Sequence, residues 1–458
     1  MAHSTSRIVI CGAGIAGIAA AYQLAVVHGC ENVVLIEEGN PLSLTSDKST
    51  ESYRNWWPGP DAAMTQFMDR SIDMIEGLAR ETGNRFNLNR RGYAFASAEP
   101  AKAQWLLEMA TKAATNGAGP VRVHDSAADS YLPSPESGFD FPLTGADIMT
   151  DASLIRRHFP YLAPETRVVA HARRAGWLSA QQLGMTMLEA ARERGVKLVR
   201  GRMVGVDTGG GRVRAVEVEQ AGERQRLEAT HLIFAAGPMT KQMTGLIGVD
   251  LPIVAERHFK ISIADTLGAV PRAAPMVIWL DSQTLPWSDE ERAELAADES
   301  TRWLTEPFPG GVHGRPDGSG GGKTLLVLFN YENKPSDVIF PLPEEEHYAE
   351  IALRGMSTLV PAMKAYIDKG IRPYIDGGYY IRTRENRPLV CPLAVEGAYL
   401  SGAYSGFGIM ASCAGGDLIA RHVLGAELPS YAPAFTLARY QDPAYCAMLE
   451  NWGDDGQL

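Results

Sequence analysis

Cysteine is scarce in this sequence of 458 residues: Cys11, Cys30, Cys391, Cys413 and Cys446 are odd in number and scattered, with no CxxC among them. That pattern argues against a disulfide framework and a zinc site, and it fits a reducing compartment. Basic residues are outnumbered, 43 against 54 acidic, and a formal net charge of −11 without any basic patch argues against a nucleic-acid partner. No apolar run approaches the roughly 18 residues that a membrane span needs. The first apolar run, Ile8 to Ile10, leads into glycines rather than to a cleavage site, so a cytoplasmic chain without a secretory leader is expected. Internal repeats are lacking too. What remains is an ordinary globular balance, 45% hydrophobic and 21% charged, in a chain long enough for two or three domains.

The stretch RIVICGAGIAGIAAAYQL, residues 7–24, is the first feature with chemical content. Arg7 to Cys11 reads as a short buried strand and Gly14 to Val27 as a helix with small and aliphatic residues toward a sheet. Between them Gly12 allows a tight turn, Gly14 lets a pyrophosphate approach the backbone, and Gly17 lets helix and strand pack closely. A second strand, Asn32 to Ile36, ends in Glu37, 25 residues after Gly12. A carboxylate there can accept hydrogen bonds from both ribose hydroxyls of an adenosine, and it disfavours a 2′-phosphate. Strand, glycines, helix, strand and acid together predict a bound dinucleotide, FAD or NAD.

Farther along, residues 61–82 carry Met64, Phe67, Met68, Ile72 and Ile75 at helical spacing, and residues 91–96 read as a strand. A helix is expected through Arg194, and residues 196–208 read as a strand pair broken at Gly201. Strands follow in RVRAVEV and in THLIFAAGP, and residue 252 opens a strand-rich region reaching about residue 377. Within it Ser288-Asp-Glu-Glu opens an acidic helix with a capping box, and PGGVHGRPDGSGGGK, residues 309–323, reads as a flexible loop or lid. Its DGSGGGKT end is no phosphate-binding P-loop, because Asp317 stands where a glycine is required and a strand-like LLVLF follows.

Residues 398–424, AYLSGAYSGFGIMASCAGGDLIARHVL, repeat the theme of strand, glycines and helix. A second helix amino terminus has no task in an NAD dehydrogenase of this layout. Beside a flavin it would stabilise the negative charge that reduction places on the N1–C2=O edge of the ring.

On three stretches the chain resembles the D-amino-acid oxidase superfamily of FAD enzymes, the branch with glycine and sarcosine oxidases: VICGAGIAGIAAAYQL with VVLIEE, THLIFAAGP, and RPLVCPLAVEGAYLSGAYSGFGIM. The resemblance implies an α/β fold of two domains. A Rossmann-like FAD-binding domain would be assembled from residues 1–90, 151–255 and 378–458, and a substrate domain on a mostly antiparallel sheet from 91–150 and 256–377. It implies that Gly12, Ala13, Gly14, Ile15, Ala16, Gly17, Glu37 and Glu38 hold the ADP half, with Val204 meeting adenine through its backbone. Thr45, Ser46, Lys48 and Ser49 would lie along pyrophosphate and ring, Ala236 and Gly237 would close on the cofactor, and Ser405, Gly406, Phe407, Gly408 and Ile409 would face the isoalloxazine. Arg54 falls where sarcosine oxidase-like members place the arginine that grips the substrate carboxylate.

The chain departs from that pattern. Phe407 stands where histidine is frequent, and Thr383-Arg-Glu-Asn-Arg-Pro388 replaces a T-P-D-G-x-P run, its extra arginines favouring an anionic or dicarboxylic substrate. Gly378 occupies the approximate position of the cysteine that tethers flavin in covalent members, so the FAD is expected to be dissociable.

A flavin oxidises an amine without a strong acid or base once the nitrogen is neutral and the C–H bond points at N5, so the protein mainly positions, desolvates and stabilises charge. The expected reaction is hydride transfer from an amino acid or secondary amine to N5, giving an imine that hydrolyses, with O2 or another acceptor taking the electrons. Arg54 is the first candidate to bind a carboxylate, and Arg382 the second; an ion pair is the alternative for each. Arg384 and Arg387 read as solvated or paired with Glu385. Of Trp56 and Trp57 one is expected to wall the pocket, and of Tyr379 and Tyr380, on opposite faces of a strand, only one reaches it, with Tyr380 the candidate. Tyr404 enters the flavin loop directly. Lys260 either speeds reaction with oxygen near N5 or is an ordinary half-buried strand lysine. The rival functions are a dehydrogenase feeding a quinone or carrier protein, an NAD-dependent dehydrogenase, and a FAD-binding subunit of a larger complex.

Overall fold

The computed structural model describes residues 7–318 and 322–452. A six-stranded sheet runs in the order Leu389–Pro392, Ala398–Gly402, His231–Phe234, Ile8–Cys11, Val33–Glu37, Lys197–Arg200. All its pairings are parallel except that of the two strands latest in the chain, Leu389–Pro392 and Ala398–Gly402. Ile8–Cys11 is buried along its whole length, as a parallel strand covered on both faces must be. Its carboxyl end lies between strands that continue in opposite directions across the sheet, the crevice where open α/β sheets bind ligands.

Two helices cross over one face of this sheet. Ile15–Tyr22 is built of alanines, glycine and isoleucines, loosens into a π turn at Gln23–Val27, and packs against Gly408–Leu424. A Cβ on Gly416 would lie 2.7 Å from the Ala19 backbone, so only glycine lets the helices approach this closely. Their amino termini consequently face one space. Ala63–Glu81 covers Gly408–Leu424 with its buried Phe67, Met68 and Ile72 stripe.

The second layer is a nine-stranded sheet in which Tyr374–Arg382, Val254–Ala264, Thr324–Leu328, His313–Asp317, Met276–Trp279 and Tyr93–Ser97 follow in order. Val168–Ala172, Ala146–Met149 and Val121–His124 complete it, and most neighbours are antiparallel. Val168–Ala172, Tyr374–Arg382 and the start of Val254–Ala264 thus lie in the larger sheet, although the expected boundaries assigned 168–172, 254–255 and 378–382 to the cofactor domain.

Two local readings are corrected. The strands flanking Gly201 do not pair with each other: Lys197–Arg200 extends the smaller sheet, whereas Arg202–Asp207 joins a separate antiparallel sheet with Ala215–Gln220 and Glu223–Glu228. The glycine-rich stretch 309–323 is not a loop throughout, because His313–Asp317 pairs on both sides within the larger sheet; residues 319–321 of that reading lie outside the described residues. The acidic helix Asp289–Ala297 does carry its Ser288–Glu291 capping box. Among the described residues no helix is long and apolar enough to cross a membrane.

Candidate active site

The turn after Ile8–Cys11 is shaped by glycines that tolerate no replacement. Gly12 has φ +105°, and a Cβ there would meet the Ala235 carbonyl oxygen at 2.5 Å; one on Gly17 would meet the Gly12 carbonyl oxygen at 1.9 Å. Gly14 caps the helix in extended conformation, and the Ile15 amide donates to Ser46 Oγ at 3.0 Å. Glu37 is held by the Ala13 and Gly39 amides, each 2.8 Å from a carboxylate oxygen. This is a backbone cradle with a fixed acid at its mouth, which suits the ADP half of a dinucleotide.

From that cradle a cleft passes Thr45, Ser46, Ser49, Ala236 and Gly237 and reaches Ser405 and Gly406 at the second helix start. Ala403 and Ser405 hold φ of +56° and +50°, left-handed values that a non-glycine residue adopts only under constraint, and the Ser405 amide is tied to the Ile381 carbonyl at 2.8 Å. Such constrained residues gather where a ligand must be met in one geometry. The cleft therefore joins both glycine-lined helix entrances, and FAD fits it from Glu37 to Ser405.

Beyond Ser405 lies a second cavity that shares Tyr380, Ser405 and Gly406 with the cleft. Arg54 lines it from the strand Ser52–Arg54. The guanidinium is buried, stacks over Trp57 at 4.6 Å and Tyr93 at 5.7 Å, and has no carboxylate partner among the described residues; its Nε lacks any acceptor. Burial lowers it to about 10, so it remains cationic at neutral pH. Trp57 forms the adjoining wall, its indole N–H donating to the Arg54 carbonyl at 3.2 Å and its ring meeting Phe407 edge to face with centroids 5.0 Å apart.

The other candidates separate by position. Tyr380 lines both spaces and stacks on His258 at 4.0 Å, while the Tyr379 hydroxyl turns away to the Ile339 backbone. Tyr404 lines the cofactor cleft, not the second cavity; its hydroxyl pairs with Ser401 at 2.8 Å, and burial raises its pKa. Phe407 lines the second cavity rather than the cleft. Gly408 and Ile409 begin the helix at the cleft, and Ala16 lines the cleft opposite.

Several expectations need correction. Arg382 is not in the cavity, because Glu256, buried on the neighbouring strand, captures it at 2.6 Å. Trp56 packs in the core at 4.8 Å from Phe95. Lys260 lines neither space; its buried ammonium donates to the carbonyls of Asp47 at 2.6 Å and Ser49 at 3.2 Å, clamping the cofactor-side loop, and burial lowers its pKa. Lys48 bonds Asp376 at 3.1 Å, Glu38 is exposed, and Val204 sits at a bulge, all three outside the cleft lining. Glu385 is taken by Arg439 at 2.8 Å, leaving Arg387 to Asp61 at 2.5 Å, and neither Arg384 nor Arg387 reaches the second cavity. The arginine-rich departure therefore gives no reason for a dicarboxylic substrate.

Tyr93, Met276, Asn330 and His313 line the second cavity without having been singled out in the sequence. They come from separate strands or loops of the larger sheet, and no local motif marks them.

The sequence profile described as FAD dependent oxidoreductase matches residues 7–422. Sarcosine oxidase subunit beta of Rhodobacter capsulatus is 24% identical over 248 residues, 54% of this chain and 53% of that protein, so the chain matches about half the length of this curated relative. Among solved structures, L-proline dehydrogenase from P. horikoshii aligns with TM-score 0.72 at 17% identity, covering 95% of this chain and 98% of that one. Glycine oxidase from Geobacillus kaustophilus aligns with TM-score 0.70 at 16% identity, covering 94% and 98%. At these identities the structural likeness shows a common fold.

Proposed function

The chain belongs to the FAD dependent oxidoreductase family, and from that premise we propose that it oxidises the C–N bond of an amino acid or secondary amine bearing a carboxylate. The observation that carries this reading is Arg54, a buried guanidinium without a carboxylate partner among the described residues, in a cavity that adjoins the cofactor cleft. A buried cation held against that cost is accounted for by an anion that arrives with the substrate. A carboxylate across the guanidinium's fork would fix one end of the molecule.

When bound, FAD supplies a two-electron acceptor for the hydride of the substrate C–H bond. Gly12, Gly14, Ile15 and Ser46 would hold its pyrophosphate, Glu37 its ribose, and Ser405, Gly406, Gly408 and Ile409 its ring. The protein's remaining work is to orient and dry the substrate. Trp57, Tyr93, Met276 and Phe407 wall the cavity with apolar and aromatic surface, and Tyr380 lines the junction of cleft and cavity. The imine leaving such a site hydrolyses in water. No cysteine or histidine lines the cofactor cleft among the described residues, which supports FAD held without a covalent bond.

The test is anaerobic mixing of the flavin-loaded protein with glycine, sarcosine, L-proline, larger amino acids of both hands, and matched amines without a carboxylate. The flavin band should bleach with a carboxylate-bearing amine and not with its decarboxylated counterpart. Bleaching by none of them would end the reading. Reoxidation by air with release of peroxide would then identify an oxidase, and its absence a dehydrogenase using another acceptor. The match to sarcosine oxidase subunit beta favours a second reading in which this chain is the FAD-binding subunit of a larger assembly.

A further inference from the structure

The second cavity contains a titratable ring that the reading above does not use. His313 opens the strand His313–Asp317 and lines the cavity with Arg54, Tyr93 and Tyr380. Its Nδ1 lies 2.8 Å from the Gly311 carbonyl oxygen. A carbonyl only accepts, so Nδ1 carries the proton, and in the neutral ring Nε2 presents a lone pair. No protein donor takes that lone pair among the described residues.

The surroundings favour the neutral ring. Burial lowers its pKa, against the Gly311 carbonyl that raises it, and the charges of Arg54 and His258 lower it further. The titratable side chains lining the cavity with it are Arg54, Tyr93 and Tyr380, and from the strand Val254–Ala264 His258 also acts on it, itself 3.5 Å from the buried Glu256. Burial raises the Tyr93 phenol to about 12 and also raises that of Tyr380, so neither is a base at neutral pH. No Asp or Glu lines the cavity among the described residues. An amino acid whose carboxylate lies on Arg54 would therefore meet no counter-charge for its ammonium end, and His313 is the lining side chain able to accept both an N–H bond and its proton.

We propose that His313 Nε2 receives the nitrogen of the substrate. This rests on the amine-oxidation reading above. Nε2 accepts a hydrogen bond from the amine N–H. When the substrate arrives as an ammonium ion, the N–H bond breaks, the proton passes to Nε2, and a neutral amine and an imidazolium result. The imidazolium, beside cationic Arg54 and without a carboxylate, then yields its proton to water. The site would thus prepare the only protonation state from which hydride can leave, and it would select nitrogen-bearing carboxylates over plain carboxylates.

Two variants separate the hydrogen bond from the proton. His313→Asn keeps a donor for the Gly311 carbonyl and removes Nε2; His313→Gln returns an acceptor near Nε2 that cannot be protonated. Both should retain flavin and bind acetate like the parent. Protein carrying ¹⁵N-imidazole histidine should show, without substrate and at about pH 7, a neutral Nδ1–H signal that His313→Asn lacks. With the fastest substrate of the panel, bleaching by His313→Asn should fall about tenfold or more at neutral pH, and recover as pH passes the free amine's own pKa. His313→Gln should bring the substrate's KM back toward the parent value while keeping the alkaline-shifted profile. A signal from an Nε2–H or doubly protonated ring, or unchanged pH profiles in both variants, overturns the proposal. If the parent protein bleaches with no amine, the oxidation reading fails and takes this one with it; bleaching with unchanged profiles removes only the role of His313.

Discussion

Replacing Arg54 by methionine should weaken substrate binding without weakening the fold, a combination that a structural ion pair would not give. Methionine keeps much of the stem against Trp57 and removes the charge. The depression of Arg54 from 12.5 to about 10 by burial corresponds to about 3 kcal/mol against the charged form in the free protein. Its stacking on Trp57 and Tyr93 returns about 0.5–2 kcal/mol for each ring. Removing the guanidinium should therefore leave stability nearly unchanged or slightly raised. A bound carboxylate, by contrast, loses its charge-assisted hydrogen bonds, about 1.5–3 kcal/mol, which is about a 10- to 100-fold rise in KM. Because the carboxylate is gripped alike before and during hydride transfer, kcat should move far less. Steady-state kinetics, flavin content and the apparent Tm of the two proteins make the comparison. An unchanged KM at normal flavin content, or a clear fall in Tm, would refute the argument and make Arg54 a structural cation.

Gly17→Ala places a Cβ 1.9 Å from the Gly12 carbonyl oxygen, so the purified variant should be colourless or much depleted in flavin; normal flavin content would show that the turn can shift. Glu37→Ala removes the carboxylate held by the Ala13 and Gly39 amides and should weaken FAD binding by roughly 10-fold, from about 1–2 kcal/mol, measured by flavin fluorescence on dilution. Burial and then the Arg173 charge hold His171 down to about 3, against 6.5 when unfolded. Between those values the unfolded chain binds the extra proton, so stability is complete above pH 6.5 and falls as the solution is acidified, by about 1.4 kcal/mol per pH unit. Urea midpoints at neutral and mildly acidic pH should show this slope in the parent and a shallower one in His171→Gln; equal slopes would refute it.

The cofactor half was legible because its chemistry is local. Gly12, Gly14, Gly17 and Glu37 lie within one strand–helix–strand unit, and Ser405 to Ile409 lie at one helix start, so spacing alone announces the backbone geometry. Arg54 was legible only through family resemblance, since nothing in its neighbours sets it apart. The substrate wall was not legible. His313, Tyr93 and Met276 are brought together by strand order in the larger sheet, a long-range pairing that leaves no periodic trace. For Arg382 the sequence left a carboxylate site and an ion pair open, and the structure gives the ion pair: Glu256, a buried carboxylate on the adjacent strand, required a cation and took it. Tyr404 similarly belongs to the cofactor side because its hydroxyl is satisfied by Ser401.

FAD filling the cleft between the two helix starts would set its ring beside the cavity lined by Arg54. Titrating the flavin-loaded protein with acetate, a carboxylate that cannot be oxidised as an amine, and recording the flavin absorption bands tests it most directly. A saturable band shift is expected in the parent protein and none in Arg54→Met. No shift in the parent, or the same shift in both proteins, would contradict it.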